Sequence, residues 1–408
     1  MKPYVTTLKT LSLLIALALL PPHRPALAQQ PAIDTLAEEA IIVDMTTGTV
    51  LLEKNADQRM PTSSMSKIMT IYMLFEALDE GRLSLDDMLP VSEKAWRMGG
   101  SKMFVAVGTQ VRVEDLIRGI VVQSGNDASV VVAEGLAGSE EEFARRMTEK
   151  AHELGLVNSN FVNATGWPHP DHYSTARDLA LLAQHLITDF PEYYHYFAEL
   201  EFTYNDIRQG NRNPLLYRDL GADGLKTGHT EAAGYGLTAS AVRDGRRLIL
   251  VVNGLPSMAA RVEESARLMD WAFREFDTFE LFEAGETIET AQTWMGTPAT
   301  VPMVSAHDVA VTLRHASREN LRVTARVEEP IAAPIQEGQP IGTLEIAVGE
   351  ETVREIPLLA GEPVERQGFF GRVWTGAKSI VMGQFAGEDS GGEDTAEAEA
   401  DPDAAVAQ

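Results

Sequence analysis

The stretch Pro61 to Glu80, PTSSMSKIMTIYMLFEALDE, decides how this chain is read. Met65, Ile68, Met69, Tyr72, Met73 and Leu78 recur near the helical period, which predicts a helix buried on one side. At its start stand Ser64 and Lys67, three apart and so on one face, where an unprotonated amine can take a proton from a hydroxyl. A helix N-terminus also offers free backbone N–H groups to a developing oxyanion. The plainer reading is a serine that caps the helix beside a solvated lysine.

Upstream, Ala40–Asp44 and Thr49–Glu53 flank Thr46-Thr47-Gly48, a hairpin that opens a sheet. Downstream, helical patterns run over Val113–Val122, Asp127–Leu136 and Ser139–Leu154, the last opened by a Ser139-x-x-Glu142 capping box. Tyr235–Val242 and Arg247–Val252 flank Asp244-Gly245, a second hairpin signal, and Ser257–Phe276 reads as a long amphipathic helix. Strands at both ends with helices between them point to a sheet whose edges come from distant parts of the sequence, an α+β or αβα layer arrangement over residues 29–283. Residues 284–366 hold short alternating runs such as Leu321–Val327 and Thr343–Val348, which reads as a separate small all-β domain. In 367–386, Phe369, Phe370, Val373, Trp374, Ala377, Ile380, Val381 and Phe385 share one helical face. Residues 387–408 are Gly, Ala, Ser and acid, a composition that orders poorly.

Composition narrows the chemistry. The 408 residues contain no cysteine, so there is no disulfide, no thiolate metal site and no cysteine nucleophile. Sixty acidic against 34 basic side chains give a net charge of −26, which repels nucleic acid. Lys2 and Lys9 precede the apolar run Leu11–Leu20, and Ala26-Leu27-Ala28 follows, so residues 1–28 read as a signal peptide cut after Ala28.

Two more motifs lie beyond the first. Ser124-Gly125-Asn126 sits between two helices, where a hydroxyl and a carboxamide on a turn can relay a proton and bind a peptide backbone. Lys226-Thr227-Gly228, followed by His229, offers a cation and a hydroxyl to a carboxylate, and a glycine that admits close backbone approach. Singly these are a turn and a solubilised edge strand. In the order S-x-x-K, S-x-N, K-T-G they form the set shared by penicillin-binding proteins and class A β-lactamases.

On these motifs the chain resembles the low-molecular-mass penicillin-binding proteins of the serine-type D-alanyl-D-alanine carboxypeptidase family. Asn163-Ala164-Thr165-Gly166, His169–Ala176, Asn213–Leu216, Asp223-Gly224, Ala333-Pro334, Pro357-Leu358 and Phe369-Phe370-Gly371 also fit, extending the resemblance over about residues 35–385. The acidic extension after Ala386 departs from the pattern. The resemblance implies a transpeptidase or β-lactamase-like αβα domain, a β-domain, and a C-terminal helix on the outer face of the inner membrane. It implies that Ser64 attacks the carbonyl between the last two D-alanines of a peptidoglycan stem peptide and is likewise acylated by β-lactams. Lys67 would be the base, kept neutral by desolvation and by the charge of Lys226. Ser124 would relay the proton, Asn126 would hold the substrate amide, and Lys226 and Thr227 the terminal carboxylate. Backbone N–H groups of Ser64 and His229 would form the oxyanion hole, leaving the His229 ring incidental. No metal or organic cofactor is implied.

A class A β-lactamase shares the motif order, but its deacylating glutamate has no counterpart from Leu154 through Pro191. A D,D-endopeptidase on the same scaffold stays open, and a non-catalytic wall-binding protein would require a broken motif, which is absent. His169 and His172 are three apart, yet Pro168 and Pro170 put them on a loop and no H-E-x-x-H occurs, against a zinc peptidase.

Overall fold

The computed structural model describes residues 33–368. Its central antiparallel sheet has five strands in the order Val50–Lys54, Glu39–Asp44, Arg246–Leu255, Gly234–Arg243, Ala222–Thr230. Register is fixed across 200 residues of sequence: Ile41 stands opposite Val251 and Ile42 opposite Leu250. Successive side chains point to opposite faces of a strand, so one interior layer receives Ile41, Val43, Ile249 and Val251, and the other Ala40, Ile42, Leu248, Leu250 and Val252. A sheet that is apolar on both faces must be covered twice. The Met258–Glu275 helix covers one face through Leu268, Met269 and Trp271. A helical cluster covers the other, built from Lys67–Asp79, Val113–Val121, Asn126–Ala137, Glu140–Glu153 and Ala176–Asp189.

The Lys67–Asp79 helix departs from expectation. Every residue from Lys67 to Leu78 except Glu76 is buried, so the helix is surrounded and not one-sided. It crosses the middle of the cluster, against four other helices and the Ala222–Thr230 strand. Its polar positions have protein partners in place of water: Thr70 Oγ1 donates to Ala164 O at 2.7 Å, and Tyr72 OH to Asp189 Oδ2 at 2.8 Å. The first turn, Ser63–Ser66, is 3-10 and the α-helix begins only at Lys67. At the Glu140–Glu153 helix only the serine half of the expected capping box forms: Ser139 Oγ accepts from Glu142 N–H, while the Glu142 carboxylate pairs with Arg145 and Arg146. Ala176–Asp189, capped by Thr175, is an addition to the sequence reading.

The β-region begins earlier than residue 284. Phe276–Phe282 pairs with Val309–Arg314, so the chain passes from the last helix directly into it. A six-stranded sheet follows, ordered Leu321–Arg326, Pro340–Val348, Glu351–Ala360, Thr300–Val304, Thr287–Trp294, Ile331–Ala332, over a core of its own that includes Val301, Met303, Leu344, Ile346 and Leu358. Polar contacts tie it to the first hairpin: Thr47 Oγ1 lies 2.7 Å from Thr312 Oγ1, and Thr278 Oγ1 and Arg246 Nε both donate to the buried Asp44 carboxylate. Residues 1–28, the apolar face from Phe369 onward and the acidic tail lie outside the described residues. Among the described residues no helix is long and apolar enough to cross a membrane.

Candidate active site

Ser64 is half-buried on the 3-10 turn, and Lys67 is fully buried one turn on. Lys67 Nζ lies 3.0 Å from Ser64 Oγ, 2.7 Å from Asn126 Oδ1 and 2.6 Å from Thr165 O. Both of the latter are acceptors only. A neutral amine has two N–H donors and one lone pair, so donating to Asn126 and Thr165 leaves the lone pair for the Ser64 hydroxyl. Burial, and then the Arg212 guanidinium, push the Lys67 ammonium down to about 7, against smaller upward pulls from Asp127 and Glu140. The expected cation was Lys226. It is Arg212 that acts on Lys67, because Lys226 is itself driven well below the ordinary lysine range by burial, then by Lys67, Arg212 and Arg261.

The loop that supplies Thr165 O is folded around Asn163. Its Oδ1 accepts from the backbone N–H of Thr165, Gly166 and Trp167 and from Thr165 Oγ1. Gly166 has φ +76°, and a Cβ there would fall 1.7 Å from Ser63 O, so this loop presses directly on the turn that carries Ser64.

The second motif is brought in only in part. Asn126 opens its helix with Oδ1 on Lys67 and Nδ2 donating to Gly99 O at 2.8 Å. Its neighbour Asp127 accepts from the N–H groups of Met103, Phe104 and Val105, which pins the loop above. Ser124 adopts φ +62°, and its buried Oγ has no hydrogen-bond partner, so the relay contact to Lys67 is unmade. An orphaned hydroxyl in this position is available to a bound substrate.

The third motif lies on the edge strand Ala222–Thr230, beside the Ser64 turn. Lys226, Thr227 and Gly228 are buried. The approach that Gly228 admits is made by the protein itself: a Cβ would stand 2.8 Å from Thr62 O and 3.2 Å from Ser63 Cβ. The exposed His229 ring lies against Tyr235, with centroids 3.9 Å apart. Two residues absent from the sequence reading join the strand. Arg212 hydrogen-bonds Ser101 Oγ, and the buried Arg261 donates to Gly228 O at 3.4 Å while its Nε is unpartnered. Among the described residues, none of Lys67, Lys226, Arg212 and Arg261 is in a salt bridge. Four basic groups without a carboxylate form a place for an anion. Arg212 directly precedes Asn213-Pro214, and nothing in its spacing marks it as part of a site.

The two histidines of the loop are each held by hydrogen bonds. His169 Nδ1 accepts from Asp171 N–H, and His172 uses both ring nitrogens on Val162 N–H and Ser66 Oγ. Among the described residues, no group of three His, Cys, Asp or Glu side chains could hold a metal ion.

Comparison with known proteins adds what geometry does not. The family described as D-alanyl-D-alanine carboxypeptidase matches residues 25–257, and the C-terminal domain of penicillin-binding protein 5 matches residues 276–366. The D-alanyl-D-alanine carboxypeptidase DacC of Escherichia coli is 40% identical over 365 residues, 88% of this chain and 90% of that protein. DacA of the same organism is 37% identical over 84% of this chain and 87% of its own length. The crystal structure of penicillin binding protein 5 from Haemophilus influenzae superposes with a TM-score of 0.77 at 36% identity, covering 82% of this chain and 99% of the other.

Proposed function

The chain belongs to the D-alanyl-D-alanine carboxypeptidase family, and from that premise we propose that it trims peptidoglycan stem peptides through an acyl-enzyme on Ser64. The observation that carries this reading is the Lys67 amine, held 3.0 Å from Ser64 Oγ with its other two hydrogen-bonding positions occupied by acceptors. As the terminal D-alanyl-D-alanine enters, its carboxylate is drawn to the Arg212 and Arg261 guanidinium groups, to the Lys226 amine, whose charged form the incoming anion favours, and to the Thr227 hydroxyl. Ser64 Oγ attacks the penultimate carbonyl while its proton passes to Lys67 Nζ. The tetrahedral oxyanion forms against the backbone N–H groups of Ser64 and His229, the role the family pattern assigns them. The proton then moves to the leaving D-alanine nitrogen through the free Ser124 hydroxyl, and Asn126 holds the substrate amide. Water repeats the sequence on the ester and frees the shortened stem. A β-lactam enters by the same route, because its strained amide presents the same carbonyl and carboxylate.

Export and membrane contact complete the proposal: a leader cut after Ala28, a periplasmic site, and the Phe369–Phe385 face resting on the inner membrane's outer surface. Incubating the mature protein with a labelled penicillin and mapping the adduct by mass spectrometry tests the core of it. The label is expected on the peptide bearing Ser64; an unmodified protein, or a label elsewhere, rejects the reading. D-Alanine release from a free stem peptide, measured beside cleavage of cross-linked dimers, separates trimming from endopeptidase action. For the membrane contact, deleting residues after Gln367 is expected to move the protein from sedimenting vesicles to the supernatant.

A further inference from the structure

The turn carrying Ser64 is strained and pinned. Ser63, directly before the nucleophile, has φ +50°, a left-handed conformation that a serine holds only where its surroundings impose it. Two fixed points bracket it, and both belong to the segment 172–174. On the upstream side Met60 and Ser174 exchange backbone hydrogen bonds of 2.8 and 3.2 Å. On the downstream side Ser66 Oγ lies 2.7 Å from His172 Nε2.

His172 is buried, its ring packed edge-on against Phe161, and its tautomer follows from its partners. Val162 N–H can only donate, and it points at Nδ1 at 3.2 Å, so Nδ1 is bare and the ring proton sits on Nε2. Nε2–H therefore donates to Ser66 Oγ. Ser66, with its acceptor side used, turns its own hydrogen to Thr62 Oγ1, 2.5 Å away. Thr62 O in turn receives Met65 N–H and abuts Gly228 on the edge strand. The run from His172 through Ser66 and Thr62 reaches both walls of the cleft.

We propose that His172 is a positioning residue: by donating to Ser66 it holds the Thr62–Ser66 turn closed, and so keeps Ser64 at its distance from Lys67 and from the Lys226–Gly228 strand. This rests on the Ser64 acyl-enzyme reading and adds a group that touches neither the substrate nor the reacting atoms. The serine at Ser66 is thereby given a use distinct from that of Ser64, and the His169/His172 pair is split into an exposed loop residue and a buried clamp.

The test compares wild type, His172→Leu, His172→Gln and Ser66→Ala in labelled-penicillin acylation, with the non-covalent dissociation constant and the acylation rate constant resolved by concentration dependence. Displacing a reacting group by about 1 Å costs on the order of 100-fold in rate, so His172→Leu and Ser66→Ala are each expected to lose roughly 10- to 100-fold in the rate constant, with the dissociation constant within about threefold. His172→Gln, which carries an N–H at the reach of Nε2, is expected to recover most of that loss. A thermal melt on every variant confirms folding, and Ser66→Ala, a small truncation, keeps the clamp testable should His172→Leu not fold. Acylation at the wild-type rate in a folded His172→Leu or in Ser66→Ala overturns the proposal, as does a His172→Gln as slow as His172→Leu. A wild-type protein that takes no label at Ser64 instead removes the functional reading beneath it.

Discussion

The protonation of Lys67 sets the rate of the first chemical step at each pH. With its ammonium pushed down to about 7 by burial and Arg212, the amine is about half neutral at pH 7 and about one part in a hundred neutral at pH 5. Acylation by a penicillin is therefore expected to be flat above about pH 8 and to fall tenfold per unit below about pH 6. An ordinary lysine, ionising near 10.4, would be neutral in only about 4 parts in 10,000 at pH 7, so the buried setting accounts for roughly a thousandfold in available base. Arg212→Gln removes the cation and lets the Lys67 value rise, so the variant's rate falls by its full factor below about pH 6 and by progressively less as pH climbs through about 7 and 8. Any part of the loss that comes from the ammonium then vanishes at pH 9, while a lost carboxylate contact persists there. Stopped-flow acylation from pH 5 to 9 on both proteins reads all of this. A wild-type rate that does not change across the range, or a midpoint that Arg212→Gln leaves in place, refutes the electrostatic argument.

Other outcomes follow from single residues. Ser124→Ala removes a buried hydroxyl that has no partner, so the melting temperature should stay the same or rise slightly, whereas stem-peptide trimming drops by about 100-fold or more; a large loss of stability would contradict the unpaired Oγ. Gly166→Ala puts a Cβ into Ser63 O at φ +76° and should cost about 2–4 kcal/mol in urea unfolding, a strain that a neutral result would disprove. His172 is pushed down to about 4 by burial, then by Lys67 and His169, so the folded state favours the neutral ring. Its unfolded counterpart binds a proton below about 6.5, so this residue's contribution to stability is complete above that pH and is lost as pH falls toward 4, by about 3 kcal/mol in all. Unfolding free energies of wild type and His172→Gln should converge over that window, and parallel curves would argue against it.

What could be read in the chain and what could not divide along a physical line. Strand alternation at Ala40–Asp44 and Arg247–Val252 marks the two faces of the sheet, since each residue's side is set by its neighbours in sequence. The three motifs carry their chemistry in adjacent residues, and Ser64, Lys67, Asn126 and Lys226 meet on that basis. The burial of the Lys67–Asp79 helix on all sides was not legible, because Lys67 and Thr70 look solvent-facing until Asn126, Thr165 and Ala164 supply their partners from distant parts of the chain. Arg212 and Thr165 escaped for the same reason. One acts through its charge across the cleft and the other through a backbone carbonyl, and side-chain identity in the sequence reports neither. The β-region's start at Phe276 was obscured because the last helical residue and the first strand residue are contiguous, with no turn signal between them.

The strand order has a bearing on biosynthesis. Glu39–Asp44 is made early, yet its inner neighbour, Arg246–Leu255, arrives some two hundred residues later. Until then the nascent polypeptide owns only two unjoined strand pairs of the sheet, Glu39–Asp44 with Val50–Lys54 and Ala222–Thr230 with Gly234–Arg243, each of marginal stability by itself, and a set of helices with no complete floor to settle on. A ribosome stalled anywhere short of Leu255 should release a product that proteases clear readily, and one with no working hydroxyl. Reactivity thus appears late in synthesis, after nearly the whole first domain has been delivered.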